Sequence, residues 1–121
     1  MARFGYLFLH QGNLNGKQVV PASWVKESTA SYVAAGEGQG YGYLWWVDGF
    51  NLPVKSFSAR GVLAKYIVVI PERDIVVVYQ SHVDLPDNAQ SMSDEDMQKL
   101  PTISLPQMST LLKLLLDAQQ K

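Results

Sequence analysis

The sequence predicts an α+β domain, an antiparallel sheet of about three to four strands packed by helices from the two ends of the chain. Three observations predict it. Residues 1–29 place apolar side chains at helical spacing. Residues 41–80 switch to aromatic and β-branched runs separated by turn residues. Residues 105–119 return to helical spacing.

The elements follow in order. Phe4, Leu7, Phe8 and His10 share one face of a helix that runs to about Gln11, where Gly12 supplies the stop. The apolar pattern starts almost at residue 1, with no room for an N-cap, which is the expectation for a chain cut inside an element. Asn13-Leu14-Asn15-Gly16 is a turn, and Asn-Gly favours type I′ geometry. Lys17–Val20 is a short extended piece. Pro21–Thr29 is a helix with proline in its first turn and with Trp24 and Val25 facing inward. Ala34–Gly40 is small and glycine-rich, the composition of a flexible loop.

Tyr41–Val47 reads as one aromatic strand and Ser56–Gly61 as a second, with a loop at Asp48–Pro53 between them. Tyr66–Ile70 and Ile75–Gln80 form an antiparallel hairpin around the Pro71–Asp74 turn. Their unbroken apolar runs require cover on both faces. Residues 85–101 are polar and acidic and are expected to form a mobile loop. Ser104 is placed to cap a final helix whose buried stripe is Met108, Leu111, Leu112, Leu115 and Ala118. Leu114 and Leu116 widen that stripe beyond what one sheet face needs.

Composition excludes several function classes. Hydrophobic residues are 47% of the chain, but charged residues are only 17%, which implies apolar surface meant to be covered. A net charge of −1 gives no electrostatic basis for binding nucleic acid. No run of about 18 apolar residues exists to span a membrane. With no cysteine and two distant histidines, His10 and His82, neither a metal site nor a cofactor is expected. No secretory signal opens this chain, so the sequence leaves its compartment undefined.

Four clusters combine residue types that could do chemistry. Ser23-Trp24-Val25-Lys26 fits S-x-x-K, in which a desolvated lysine one helical turn from a serine accepts its proton. Two matching positions arise easily by chance, and a solvated helix start is the more ordinary reading. Ser81-His82-Val83-Asp84 holds three triad residue types, but neighbours on a strand point to opposite faces. Asp94-Glu95-Asp96 reads as a solvated helix start or loop, because adjacent carboxylates rarely converge on a metal. Ser58-Ala59-Arg60-Gly61 ends a strand with a glycine, a position that either turns the chain or lets a ligand approach.

Three blocks in order resemble the C-terminal portion of the serine β-lactamase-like family, which includes class C β-lactamases, DD-peptidases and related esterases. They are MARFGYLFLHQGNLNGKQVVPASWVKEST, YGYLWWV and FSARGVLAKYIVVIPERDIVVVYQSHVD, together covering roughly residues 1–84. The resemblance implies that Ala59-Arg60-Gly61 stands at the family's third motif, K-T-G or H-x-G, on a strand lining the active site. Gly61 matches, while Ala59 replaces the basic or imidazole residue, as in some esterase-like relatives. Val62 would offer the backbone N–H of the oxyanion hole, which needs no particular side chain. The family usually has small, glycine-rich residues next, where this chain has Val62-Leu63-Ala64-Lys65. Ala59, Arg60, Gly61 and Val62 are therefore the candidate substrate-binding residues, and no residue is assigned as catalytic.

The family's S-x-x-K nucleophile and Y-x-N motif lie upstream of the first block, and no Y-x-N occurs here. The whole chain, residues 1–121, is thus expected to be one partial domain, inactive alone. Its last strand, residues 75–80, is expected to be an open edge that binds a second copy or a complementing chain. Two function classes stay open. One is a piece of a serine hydrolase acting on β-lactams, D-Ala-D-Ala peptides or esters. The other is a non-enzymatic, self-associating protein.

Overall fold

A computed structural model describes residues 1–120. Among them are four helices, a two-stranded ribbon and a six-stranded antiparallel sheet. Helix α1 (Ala2–Leu9) has no side-chain cap at Met1. It ends where Gln11 and Gly12 turn left-handed and the Gly12 N–H donates to the Leu7 carbonyl at 2.8 Å. Strands β1 (Asn13–Leu14) and β2 (Lys17–Gln18) then form a tight ribbon. Asn15 and Gly16 both have positive φ, 51° and 83°, as a type I′ turn requires.

Helix α2 (Ala22–Ser28) starts just after Pro21 and buries Val25 and Ser28. Trp24, expected to face inward, lies about a third of a turn from Val25 and is 46% exposed. Its ring meets Tyr43, which in turn stacks on Tyr32, in a partly exposed aromatic row.

The sheet is a simple meander in the order β3 (Val33–Ala34), β4 (Gly40–Tyr41), β5 (Trp46–Val47), β6 (Phe57–Gly61), β7 (Lys65–Ile70), β8 (Ile75–Tyr79). It has six strands, not three to four. One extra strand, β3, comes from the glycine-rich segment, which folds as a β3–β4 hairpin held by the Ala35 N–H on the Gln39 carbonyl (2.9 Å). The other arises because Tyr41–Val47 is not one strand but is split between β4 and β5. It reverses at Gly42–Leu44, with Leu44 at φ 66° and the Gly42 N–H donating to the Trp45 carbonyl (2.8 Å).

Alternation along the central strands builds two cores. Ile67 and Val69 of β7 pack with Phe8, Val25, Trp45 and Phe57 under α1 and α2. Gly5 lets α1 lie close, since a Cβ there would sit 2.6 Å from Val76. Tyr66, Val68 and Ile70 face the other way, toward Phe50 and helix α4 (Leu105–Gln119). The unbroken apolar run of β7 is thus covered on both faces, as its sequence required.

Helix α4 begins at a capping box, Ser104 with Gln107. Its buried line is Met108, Leu112 and Leu116, one residue per turn. Leu115 and Ala118, expected in the stripe, are exposed instead, because the crossing of α4 over the sheet selects the i, i+4 row. Residues 85–101, expected to be irregular, contain the short helix α3 (Asp94–Gln98), capped by Ser93 and opened by Asp94, Glu95 and Asp96.

Candidate functional site

Strand β6 carries the candidate residues, and its alternation divides them. Phe57 and Ala59 face the α1 side and belong to that core. Ser58 and Arg60 face the α4 side. Gly61 ends the strand in solvent, and Val62 beyond it is 72% exposed. The four residues therefore do not converge on one surface.

Arg60 is held in place by its surroundings. Its guanidinium lies 4.9 Å from the Trp46 ring and 4.7 Å from the Phe50 ring. Nε donates to Ser58 Oγ and Nη1 to Gln39 Oε1, both at 3.2 Å. Burial pushes its pKa below the ordinary arginine value, with an opposing effect from Tyr66. Nη2 is buried without a partner. The side chain thus ties the β3–β4 hairpin to the sheet. Strand alternation alone would have placed Ala59 and Arg60 on opposite faces, but not the aromatic pair around Arg60.

The backbone of β6 is more open than its side chains. Strand β5 is opposite only Phe57 and Ser58, whereas β7 continues opposite Ala59, Arg60 and Gly61. The last three residues of β6 thus extend past the pairing with β5, and of these Gly61 is exposed. The chain then turns into β7 through Leu63 and Ala64, both left-handed at φ 60° and 53°. Two consecutive non-glycine residues thus hold a conformation that favours glycine.

Ser23 and Lys26 are both exposed on α2, whose buried residues are Val25 and Ser28. The Ser81 hydroxyl donates to the Leu63 carbonyl. His82 and Asp84 approach to 3.4 Å but are almost fully exposed. A cleft of about 550 Å³, lined by Lys26, Ser31, Asp48, Lys55 and Glu72 among others, also reaches Phe57 and so lies at the far end of β6 from Gly61. A smaller hollow of about 300 Å³ beside the motif end is lined by Lys65, Gln80, Ser81 and His82. Among the described residues, no group of three or more histidines or carboxylates is placed to hold a metal ion, and no helix is long and apolar enough to cross a membrane.

The β-lactamase family model matches residues 1–99. The chain belongs to the β-lactamase family. An uncharacterized protein of Alkalihalophilus pseudofirmus is similar to it at 30% identity over 64% of this chain. The chain spans 27% of that relative's length. The matched region includes β6 and the turn after it.

Proposed function

We propose that these residues form the C-terminal part of a serine β-lactamase or penicillin-binding-protein-like hydrolase domain, carrying the third-motif strand, and that they do not hydrolyse substrate alone. The observation that carries this reading is the Ala59–Gly61 edge extending past β5, with Gly61 and Val62 exposed at its end. Gly61 and Val62 would lie alongside the acyl group of a bound substrate, the backbone of Val62 donating to the developing oxyanion. Ala59 supplies no cation or base, and Arg60 holds the strand in place. The nucleophile must then come from a segment bearing S-x-x-K and Y-x-N, since a donor without a nucleophile gives no acyl-enzyme.

A fluorescent penicillin and a fluorophosphonate probe test this. Neither labels the isolated chain, and addition of an S-x-x-K-bearing segment from a β-lactamase-family protein produces labelling and ester hydrolysis. Labelling of the isolated chain that disappears in Ser23→Ala would show Ser23 to be a nucleophile and end this reading. A second reading, a non-enzymatic self-associating protein, is favoured by the position of β8 at the end of the sheet order. A defined oligomer with no labelling in either mixture supports it.

A further inference from the structure

We infer that the cleft between helix α2 and the start of β6 binds a zwitterion with an apolar side chain, an α-amino acid of the leucine or phenylalanine type. The site is independent of the catalytic reading, since it lies at the opposite end of β6 from Gly61 and Val62. Its volume is about 550 Å³, within the roughly 300–1,000 Å³ of small-molecule sites. Helix α2, strand β5, the β5–β6 loop and the turn before β8 wall it, all between residues 11 and 72.

The floor is apolar and the rim is charged. Val25 of α2 and Phe57 of β6 belong to the α1-side core and reach the cleft from below. Lys26 and Lys55 bring two positive charges to the rim, and Asp48 and Glu72 bring two negative ones. Among the described residues none of these four forms an ion pair, although they share one cleft. An anion would meet two carboxylates there and a cation two lysines. A neutral apolar molecule would take water from all four charges and pair with none. A zwitterion satisfies both signs while its side chain covers Val25 and Phe57.

The charges are also sorted in space. A second hollow of about 340 Å³ shares Asp48, Lys55 and Glu72 with the cleft, whereas Lys26 stands apart on α2. At the shared rim the two carboxylates outnumber Lys55 by one charge, which matches a single ammonium. The ligand's carboxylate then falls to Lys26, the lysine of the S-x-x-K pattern, which lines the cleft while Ser23 does not. Asp48 is anchored for its part. Its N–H donates to the Ser56 carbonyl and its Oδ1 accepts from the Ser56 N–H, both at 2.9 Å, so Oδ2 is left for a ligand.

NMR titration of the chain with L-leucine and L-phenylalanine tests this. Saturable amide shifts are expected at Val25, Lys26, Asp48 and Phe57. N-acetyl-leucine lacks the ammonium, leucinamide the carboxylate and glycine the side chain, and each should bind about tenfold or more weakly. Asp48→Asn keeps an acceptor for the Ser56 N–H. It should weaken leucine binding about tenfold and leave N-acetyl-leucine unchanged. Lys26→Gln should weaken leucine equally and leave leucinamide unchanged. Circular dichroism of both variants should match the wild type, and the analogue series on the wild type decides even where a variant unfolds. Absence of saturable shifts at millimolar leucine and phenylalanine overturns the proposal. So does N-acetyl-leucine or leucinamide binding as tightly as leucine, which would make the cleft a site for an anion or a cation. Glycine binding as tightly, shifts confined to other residues, or full affinity in both folded variants overturns it equally.

Discussion

Arg60 is the residue at which a structural and a substrate-binding role make opposite predictions, and Arg60→Met separates them. Methionine keeps much of the apolar stem and removes the guanidinium. The change removes contacts with two aromatic faces at 4.9 and 4.7 Å, each contributing about 0.5–1 kcal/mol at a partly exposed site. It also removes donors to Ser58 Oγ and Gln39 Oε1. Ser58 is 1% exposed, so its hydroxyl loses a partner where water does not replace it. Against this, the variant no longer desolvates a charge or buries the unpartnered Nη2. The balance is a loss of about 2 kcal/mol, discounted for the side chain's partial exposure. That corresponds to a fall of roughly 6–10 °C in Tm for a domain of this size. Urea unfolding gives the free energy, and hydrogen exchange should show faster opening across residues 33–41. Gly49→Ala tests the same contact from the other side, because its Cβ would sit 1.8 Å from Arg60 Nη2. It should destabilise the wild type but cost less in the Arg60→Met background, a coupling that a double-mutant cycle measures. Wild-type stability and exchange in Arg60→Met, with additive effects of the two changes, would refute the clamp and return Arg60 to the candidate substrate contacts.

The remaining predictions concern the backbone, the core and one buried phenol. Gly12 and Gly16 share φ 83°, but a Cβ at Gly12 would lie 2.0 Å from the Val20 carbonyl oxygen, and at Gly16 it would meet nothing within 4 Å. By urea denaturation, Gly16→Ala should therefore cost about 1 kcal/mol and Gly12→Ala at least twice that; equal costs would rule out the close packing at Gly12. Leu112→Ala, at a fully buried position under the sheet, should lose about 3 kcal/mol, and a loss under about 1 kcal/mol would place α4 away from the core. Burial raises the Tyr66 pKa above 10.0, Arg60 opposes the shift, and Tyr79 adds to it. The stability from the neutral phenol is thus fully present below pH 10.0 and is lost as pH rises through the folded-state value. Tyr66→Phe should flatten this alkaline limb of the stability curve, and an unchanged limb would exclude Tyr66 as its source.

Much of the fold was legible where local chemistry and burial agree. Asn15-Gly16 specified its turn, the uncharged runs of β7 and β8 specified a hairpin covered on both faces, and Ser104 specified the cap of α4. The short strands β3, β4 and β5 were not legible, because a two-residue strand has no period. Contacts distant in sequence set their positions, notably the Tyr43 N–H donating to the Ser28 carbonyl (2.9 Å) and Arg60 reaching Gln39. Which leucines of α4 are buried was also beyond the pattern. Leu115 and Leu116 are equally apolar, and the angle at which the helix crosses the sheet decides between them. The candidate-site residues Ala59, Arg60 and Gly61 lie on β6. Alternation was enough to separate Ala59 from Arg60, but a short motif shows neither which face is solvated nor what fills it.

The turn after β6 holds non-glycine residues in a shape that favours glycine. Leu63 and Ala64 both occupy the left-handed region, at about 1–2 kcal/mol each for an L-residue. Their own preference does not produce this conformation, so the flanking structure imposes it. The Gly61–Lys65 pairing closes the end of the β6–β7 ladder, Ala64 is 8% exposed within the α4-side core, and the Ser81 hydroxyl donates to the Leu63 carbonyl. On the proposed reading, Ala59 supplies no motif side chain while the strand and its turn remain, and Val62 would donate through its backbone, which depends on that geometry and not on a side chain. Replacing Leu63 or Ala64 thus acts on the site through backbone position, whereas replacing Ala59 acts only through the chemistry it introduces.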